Sequence, residues 1–98
     1  MDRKIYELSP VYYNQKSYYG KAKIIMLDPE QEILLSYTRK ILFYNGDTVF
    51  IYPNLCYNKH LTATTMKHIR DFLYQKGYKT LIKNPKDVLI SQLKILEE

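Results

Sequence analysis

The residues best suited to metal or nucleophilic chemistry are one cysteine and two histidines, Cys56, His60 and His68. Their spacing, Cys-x3-His-x7-His, supplies three ligands without a second cysteine, which is a poor set for a structural zinc site. A thiol nucleophile would need a histidine base and a third group to orient that base, and no acid is placed to orient His60. A small apolar filler is the simpler role for the cysteine, and surface or capping positions suit the histidines.

Other kinds of active site find even less support in the sequence. A pair of catalytic carboxylates could come only from Asp28, Glu30 and Glu32, which flank a predicted turn and are expected to be solvated. Phosphate-binding loops need clustered glycines, and the three glycines of the chain are scattered. We therefore expect no catalytic residues, no metal and no cofactor, and the sequence argues against most enzymes.

The charge of the chain points to binding. Fifteen lysines and arginines against ten acids give a net charge of +5, and residues 59–86 contain seven of the bases with Asp71 as their one acid. Such a segment attracts phosphate backbones or acidic protein surfaces, although a solvated lysine face is the simpler alternative. Arginine occurs only three times, so sequence-specific reading of base edges is not expected.

Tyrosine is the second signal for binding, with eleven copies and no tryptophan. It suits half-buried sheet surfaces and is also enriched at protein interfaces, so cross-strand packing accounts for many of these residues. Tyrosines beside lysines on a sheet can also stack on nucleic-acid bases. The predicted binding residues are Lys59, Lys67, Arg70, Lys76 and Lys79 on and around a helix, and Tyr18, Tyr19, Lys21 and Lys23 on a strand.

Hydrophobic periodicity places these residues on elements. Alternation predicts strands over 17–27, 32–38, 41–44 and 48–52. Asn45-Gly46 predicts a type I′ hairpin in which Phe43 faces Thr48 and Leu42 faces Val49. Residues 1–16 show no clean period and are expected to form an N-terminal arm, mobile or draped over a single domain of residues 17–98.

Two helices complete the prediction. The first covers residues 63–76, with Thr62, Thr64 or Thr65 as N-cap and Gly77 as the left-handed C-cap. The second covers residues 85–97 and must dock, because a helix of about twelve residues is marginal alone. The predicted fold is α+β, a three- to four-stranded antiparallel sheet with one helix packed on a face and a C-terminal helix beside it or in a dimer. The predicted core consists of Ile24, Met26, Ile33, Leu35, Leu42, Val49, Ile51, Met66, Ile69, Leu73, Leu89 and Leu93.

A family resemblance covers Ser17 to Gly77. It rests on Ser17-Tyr18-Tyr19-Gly20, on Leu35-Ser36-Tyr37-Thr38, on the Asn45-Gly46 hairpin, and on Thr64-Thr65 followed by His68-Ile69 and Phe72-Leu73. These residues resemble a small uncharacterised domain of phages and mobile elements in Gram-positive bacteria. The resemblance implies a helix N-terminus at the threonines and a bond from His68 to a neighbouring strand, and it carries over no catalytic residues.

Small proteins of that origin often inhibit host defence, anti-CRISPR proteins among them, so the resemblance implies such a role. We expect a non-enzymatic inhibitor that occludes a host protein, such as an RNA-guided nuclease or its nucleic-acid complex. The alternative is a small basic nucleic-acid-binding module. With one cysteine and no long apolar run, the chain has no internal disulfide and no membrane span, and the host cytoplasm is the expected location.

Overall fold

The computed structural model describes residues 4–13, 18, 20–28, 30–53 and 61–97, except for the side chain of Asp28. These residues form one mixed sheet with helices packed on one of its faces, so the α+β prediction is confirmed. In chain order the elements are β1 (Lys4–Glu7), β2 (Ala22–Asp28), β3 (Gln31–Ser36), β4 (Arg39–Tyr44), β5 (Val49–Ile51), α1 (Ala63–Gln75), a 3₁₀ turn (Leu81–Lys83), α2 (Lys86–Ser91) and β6 (Lys94–Ile95).

The sheet has six strands in the order β1-β2-β3-β4-β5-β6, so the prediction of three to four strands is wrong. The two extra strands are the edges. All four residues of β1 are exposed, and an edge strand of that kind leaves no alternating pattern in the sequence. The predicted helix over 85–97 ends at Ser91, and Lys94–Ile95 instead pair with Phe50 and Ile51. This pairing is parallel, whereas the other strand pairs are antiparallel.

The β4–β5 hairpin forms where it was predicted but in a different register. Phe43 lies opposite Phe50 rather than Thr48, and only Gly46 of the turn has positive φ, at 98°. The Asn45 side chain explains the change, because its Oδ1 accepts from the amides of Asp47 and Thr48, at 2.8 and 2.7 Å. The shift is two residues, so every side chain keeps the face that the alternation assigned to it.

The core lies between the sheet and α1. Ten of the twelve predicted core residues are buried, and Met26 and Leu35 are half-buried. Ile33 is buried but is not part of the cluster under α1. Leu34 has no exposed surface, because β3 presents Leu34, rather than Leu35, to the helix. A bulge in β4 makes Ile41 an additional buried residue, since Leu34 pairs with Leu42 while Leu35 pairs with Lys40.

Helix α1 has well-defined ends. Thr62 is the N-cap and its Oγ1 accepts from the amide of Thr65 at 3.2 Å, which settles the choice among the three threonines. At the other end the amides of Gly77 and Tyr78 bond back to the carbonyls of Tyr74 and Leu73, the pattern of a Schellman cap. The helix therefore holds a fixed position on the sheet and can present side chains in a fixed geometry.

Candidate functional site

The N-terminal arm crosses α1 at a buried carboxylate, Asp71, which has no exposed surface. Its Oδ1 accepts from the amides of Val11 and Tyr12, at 2.8 and 3.0 Å, and its Oδ2 accepts from the amide of Tyr13 at 3.3 Å. The Tyr18 hydroxyl donates to Oδ2 at 2.6 Å, and the Gln75 side chain donates to Oδ1 at 3.0 Å. One carboxylate thus fixes three consecutive arm residues against the helix.

The electrostatics of Asp71 follow from these donors. Burial alone would raise the pKa of this carboxyl, but the hydrogen bonds from Tyr18, from the amides of Tyr12 and Val11 and from Gln75 together hold the pKa below its usual value. Burial and the bond to Asp71 raise the pKa of Tyr18 far above its usual value. The pair therefore stays as carboxylate and neutral phenol at physiological pH, with the phenol as donor.

Above this carboxylate lies a surface of tyrosines and lysines. The Tyr12 ring packs edge-on against Tyr13, with centroids 5.1 Å apart, and packs at a tilt of 43° against Tyr74, with centroids 5.2 Å apart. The Lys67 ammonium lies 5.9 Å from the Tyr13 ring centre, and the Lys79 ammonium lies 5.5 Å from that of Tyr74. We call this surface the arm patch; its residues are Val11, Tyr12, Tyr13, Lys67, Tyr74 and Lys79.

The arm patch is accessible and apolar at its rim. Val11 is 60% exposed and Tyr12 is 40% exposed, although both backbones are anchored from below. Burial raises the pKa of Tyr13, so this phenol too is neutral. Rigid aromatic side chains on an anchored backbone lose little entropy on binding, which makes them suited to an interface.

Two of the predicted basic residues belong to the arm patch, and two are used inside the fold. Arg70 donates from Nη1 to the carbonyls of Ile82 and Asn84, at 2.8 and 3.0 Å, and so ties the helix to the segment that follows it. Lys76 forms a 2.8 Å ion pair with Glu32 and lies 4.7 Å from the Tyr44 ring centre. Of the described members of the predicted helix cluster, Lys67 and Lys79 are thus the two that lie at an open surface.

The predicted strand cluster is divided as well. Tyr18 is buried on Asp71 and cannot reach a ligand, whereas Lys21 and Lys23 are exposed. Lys23 pairs with Leu35 on the sheet face away from α1. Tyr19 and Lys59, also predicted to bind, lie outside the described residues.

His68 is buried, contrary to the surface or capping position predicted for it. Its Nδ1 lies 2.8 Å from the hydroxyl of Ser36 in β3, which confirms the bond to a neighbouring strand that the resemblance implied. Ser36 also lies 3.0 Å from the hydroxyl of Thr65, and the Nε2 of His68 has no hydrogen-bond partner in the described part of the chain. Burial, followed by the charge of Lys21, lowers the pKa of His68 to about 4, so the ring is neutral at pH 7.

A cavity of about 400 Å³ opens beside this network, at the N-terminus of α1. Its lining residues include Ser36, Thr62, Thr65 and Arg39, and none of the described residues that line it is an acid or a histidine. Within the described residues no three histidine, cysteine or acidic side chains gather as a metal would require, while Cys56 and His60 lie outside that range. No described helix has the length and apolar character of a bilayer crossing.

The sequence reasoning missed the acid and the aromatic residues of the site. Asp71 was visible as the one acid among seven bases, a sign that it had a specific partner within the fold. Tyr12 and Tyr13 stood in the tyrosine-rich start of the chain, but a segment without periodicity gave no indication of where it would lie. Only the path of the arm across α1 brings these residues to Tyr74.

Comparison with known proteins identifies a family whose function is unknown. A model described as a family of unknown function (DUF8033) matches residues 6–89, and the chain belongs to that family. The match includes the arm from Tyr6 onwards and so contains Asp71 together with the arm residues that it binds. No curated protein and no solved structure matches the chain.

Proposed function

We propose that this member of the DUF8033 family is a non-enzymatic binding protein that recognises an acidic protein surface through the arm patch. The observation that carries the proposal is the clamp of Asp71 on the amides of Val11, Tyr12 and Tyr13. It anchors an exposed aromatic segment to a rigid helix, at the cost of burying a carboxylate. Tyrosines held in this way are the anchors found at the centres of protein interfaces.

The position of the two lysines favours a protein partner over nucleic acid at this patch. Lys67 lies over the Tyr13 ring and Lys79 over the Tyr74 ring, so at each ring one face is taken by an ammonium group. A base that stacks on the same face of either ring would have to displace the lysine. An acidic protein side chain can instead pair with the lysine while the tyrosine edges make apolar contacts.

The proposal of a binding protein without catalysis draws support from the described polar groups. Ser36 and His68 touch each other but are buried, at 2% and 0% exposure, and the nearby cavity offers Ser36 no acid to assist it. Asp71 accepts five hydrogen bonds, and those donors hold its pKa below the usual value, which makes it a weak base. What the surface offers is shape, aromatic area and positive charge.

The resemblance to phage and mobile-element proteins supplies the nature of the partner. On that basis the proposed target is a host-defence nuclease of the RNA-guided type, inhibited because the arm patch covers an acidic part of its surface. This part of the proposal rests on the residues that carry the resemblance, and the geometry of the patch is compatible with it.

The test is binding and inhibition with purified RNA-guided nucleases, each with and without its guide RNA. We expect one of them to bind the protein and to lose cleavage of its target. Changing Lys67→Glu together with Lys79→Glu should weaken binding at least about tenfold, because two charges that face an acidic surface are reversed. Lys83→Glu is the matched control, since Lys83 is an exposed lysine outside the arm patch. Equal binding by all three proteins would reject the patch as the contact.

A further inference from the structure

The sheet has a second face, which α1 and α2 do not cover. Register places one row of apolar residues straight across five strands on this face: Ile5, Ile25, Ile33, Phe43 and Phe50. Their neighbours along the strands, such as Ile24, Leu34 and Leu42, point to the other face and belong to the helix-covered core. Ile5 is 60% exposed, Ile25, Phe43 and Phe50 are half-buried, and Ile33 in the middle is buried. We call this surface the outer face.

Lysines border the outer face along one side and at one end. The next row of paired residues is Glu7, Lys23, Leu35 and Lys40, and Lys94 lies opposite Phe50 at the end of the first row. All three lysines are exposed, and Glu7 is the one acid among these paired positions. Two copies of this face packed on each other would bring lysines close to lysines. The charge therefore calls for an anionic partner rather than a second copy.

The two phenylalanines indicate a second property of that partner, which is a flat ring that can stack on them. Phe43 and Phe50 are directly opposite each other on neighbouring strands, with ring centres 6.4 Å apart and planes tilted by 32°. Among the described residues the lysine–ring contacts involve Tyr13, Tyr44, Phe72 and Tyr74 and leave these two rings without a lysine over them. Aromatic rings on adjacent strands, bordered by cations, are the arrangement on which sheet-based modules stack unpaired bases.

We propose that the outer face binds single-stranded nucleic acid, with bases stacked on Phe43 and Phe50 and phosphates neutralised by Lys23, Lys40 and Lys94. This activity goes beyond the proposed function, because it uses another surface and another class of ligand. Neither described arginine lies on the outer face, since Arg39 pairs with Ser36 on the helix side and Arg70 is in α1. Binding is therefore tolerant of sequence.

The test is fluorescence anisotropy with labelled twelve-residue oligo(dT) and oligo(rU), and a DNA duplex of equal length as the comparison. Both single strands should bind more tightly than the duplex, which offers no free base faces. The logarithm of affinity should fall against the logarithm of salt concentration with a slope of about −2, as three phosphate contacts on a single strand require. The two single-stranded probes distinguish RNA from DNA as the preferred ligand.

Paired variants separate the outer face from the arm patch. Phe43→Leu and Phe50→Leu keep apolar side chains in the sheet, and each should weaken binding at least about fivefold through lost stacking. Lys23→Gln with Lys40→Gln does not touch the core and should make the salt slope shallower by about 1.4. Lys67→Gln with Lys79→Gln is the control and should leave both affinity and slope unchanged.

Several outcomes would overturn the inference. They are no anisotropy change at 50 mM salt, duplex binding as tight as single-strand binding, or loss of binding in the arm-patch control alone. A dimer in analytical ultracentrifugation that Phe50→Asp dissociates would assign the outer face to a second copy. Loss of the nuclease complex in Phe50→Asp, without any oligonucleotide binding, would assign it to protein. Neither result would alter the test of the arm patch.

Discussion

A carboxylate can be buried without a cation if enough hydrogen-bond donors surround it, and Asp71 shows how a small protein uses this possibility. Its donors come from the arm, from Tyr18 and from its own helix, and they belong to parts of the chain far apart in sequence. The sequence indicated that this acid was exceptional, but its partners could not be inferred because amides carry no sequence signal. The arm patch was therefore only partly predictable, through Lys67 and Lys79.

Changing Asp71→Asn should destabilise the fold by about 3 kcal/mol, because the amide that replaces one carboxylate oxygen is a donor and leaves arm amides unpaired. Gln75→Ala removes one donor at an exposed position and should cost less than about 1 kcal/mol. Urea unfolding followed by circular dichroism measures both. An Asp71→Asn protein as stable as the Gln75→Ala protein would show that the clamp contributes little.

His68 predicts how stability depends on pH. Its pKa is lowered to about 4 in the folded chain, against an ordinary value near 6.5. The folded state thus binds fewer protons than the unfolded state between these values, so its stabilisation is complete above pH 6.5 and is lost as the pH falls to 4. The loss amounts to roughly 3 kcal/mol.

The measurement is the free energy of unfolding at steps from pH 7 to pH 4. His68→Asn keeps a polar partner for Ser36 but cannot titrate, so its stability should fall much less over this range. The lowered pKa of Asp71 adds a second loss at still lower pH, below the window of the histidine. Parallel curves for the two proteins would disprove the role of His68.

At the level of elements, the turns and caps explain which strands and helices could be predicted. The four central strands and α1 carry clear periodicity and a turn or cap at their ends, and these were found. The register of the β4–β5 hairpin was missed because the Asn45 side chain replaces a backbone acceptor. β6 was missed because Leu93 extends an apolar helical pattern beyond Ser91, while the free edge of β5 takes up the next residues.

Two glycines with left-handed backbone allow a controlled comparison. Gly77 has φ of 97° and nothing within 4 Å of an added Cβ, so Gly77→Ala should cost about 1 kcal/mol from backbone strain alone. Gly46 has φ of 98°, but an added Cβ would lie 2.9 Å from the Cβ of Glu30. Gly46→Ala should therefore cost clearly more. Thermal unfolding of both variants tests this, and equal losses would mean that Glu30 moves away freely.

For the whole molecule, the arm is part of the sheet as well as part of the patch. Ile5 and Tyr6 pair with Ile25 and Ile24 in β2, and the Gln75 side chain donates to the carbonyl of Ser9 at 2.8 Å. The predicted domain, which started at residue 17, left these contacts out. An exposed edge strand has no hydrophobic periodicity by which it could be recognised in the sequence. The net positive charge of the protein was predictable from its composition. Which lysines lie at the arm patch and which at the outer face depended on the order of the strands.

A chain of residues 17–98 should be several kcal/mol less stable than the full chain, because it loses β1 and three of the five donors to Asp71. Adding Asp71→Leu to the shortened chain should restore part of the loss by removing the uncompensated charge, while the same change in the full chain should destabilise it. Chemical denaturation of the four proteins tests this reversal of sign. Equal effects in both backgrounds would show that the arm does not serve the carboxylate.

The parallel pairing of β6 with β5 has a consequence for synthesis on the ribosome. The first five strands each add to the strand made just before, so their pairing can proceed as the chain emerges. The partner of β5 on its other side arrives only after α1 and α2 have been made. During that interval β5 presents unpaired amides and carbonyls to other nascent chains, and two residues of late-arriving strand remove this opportunity for aggregation.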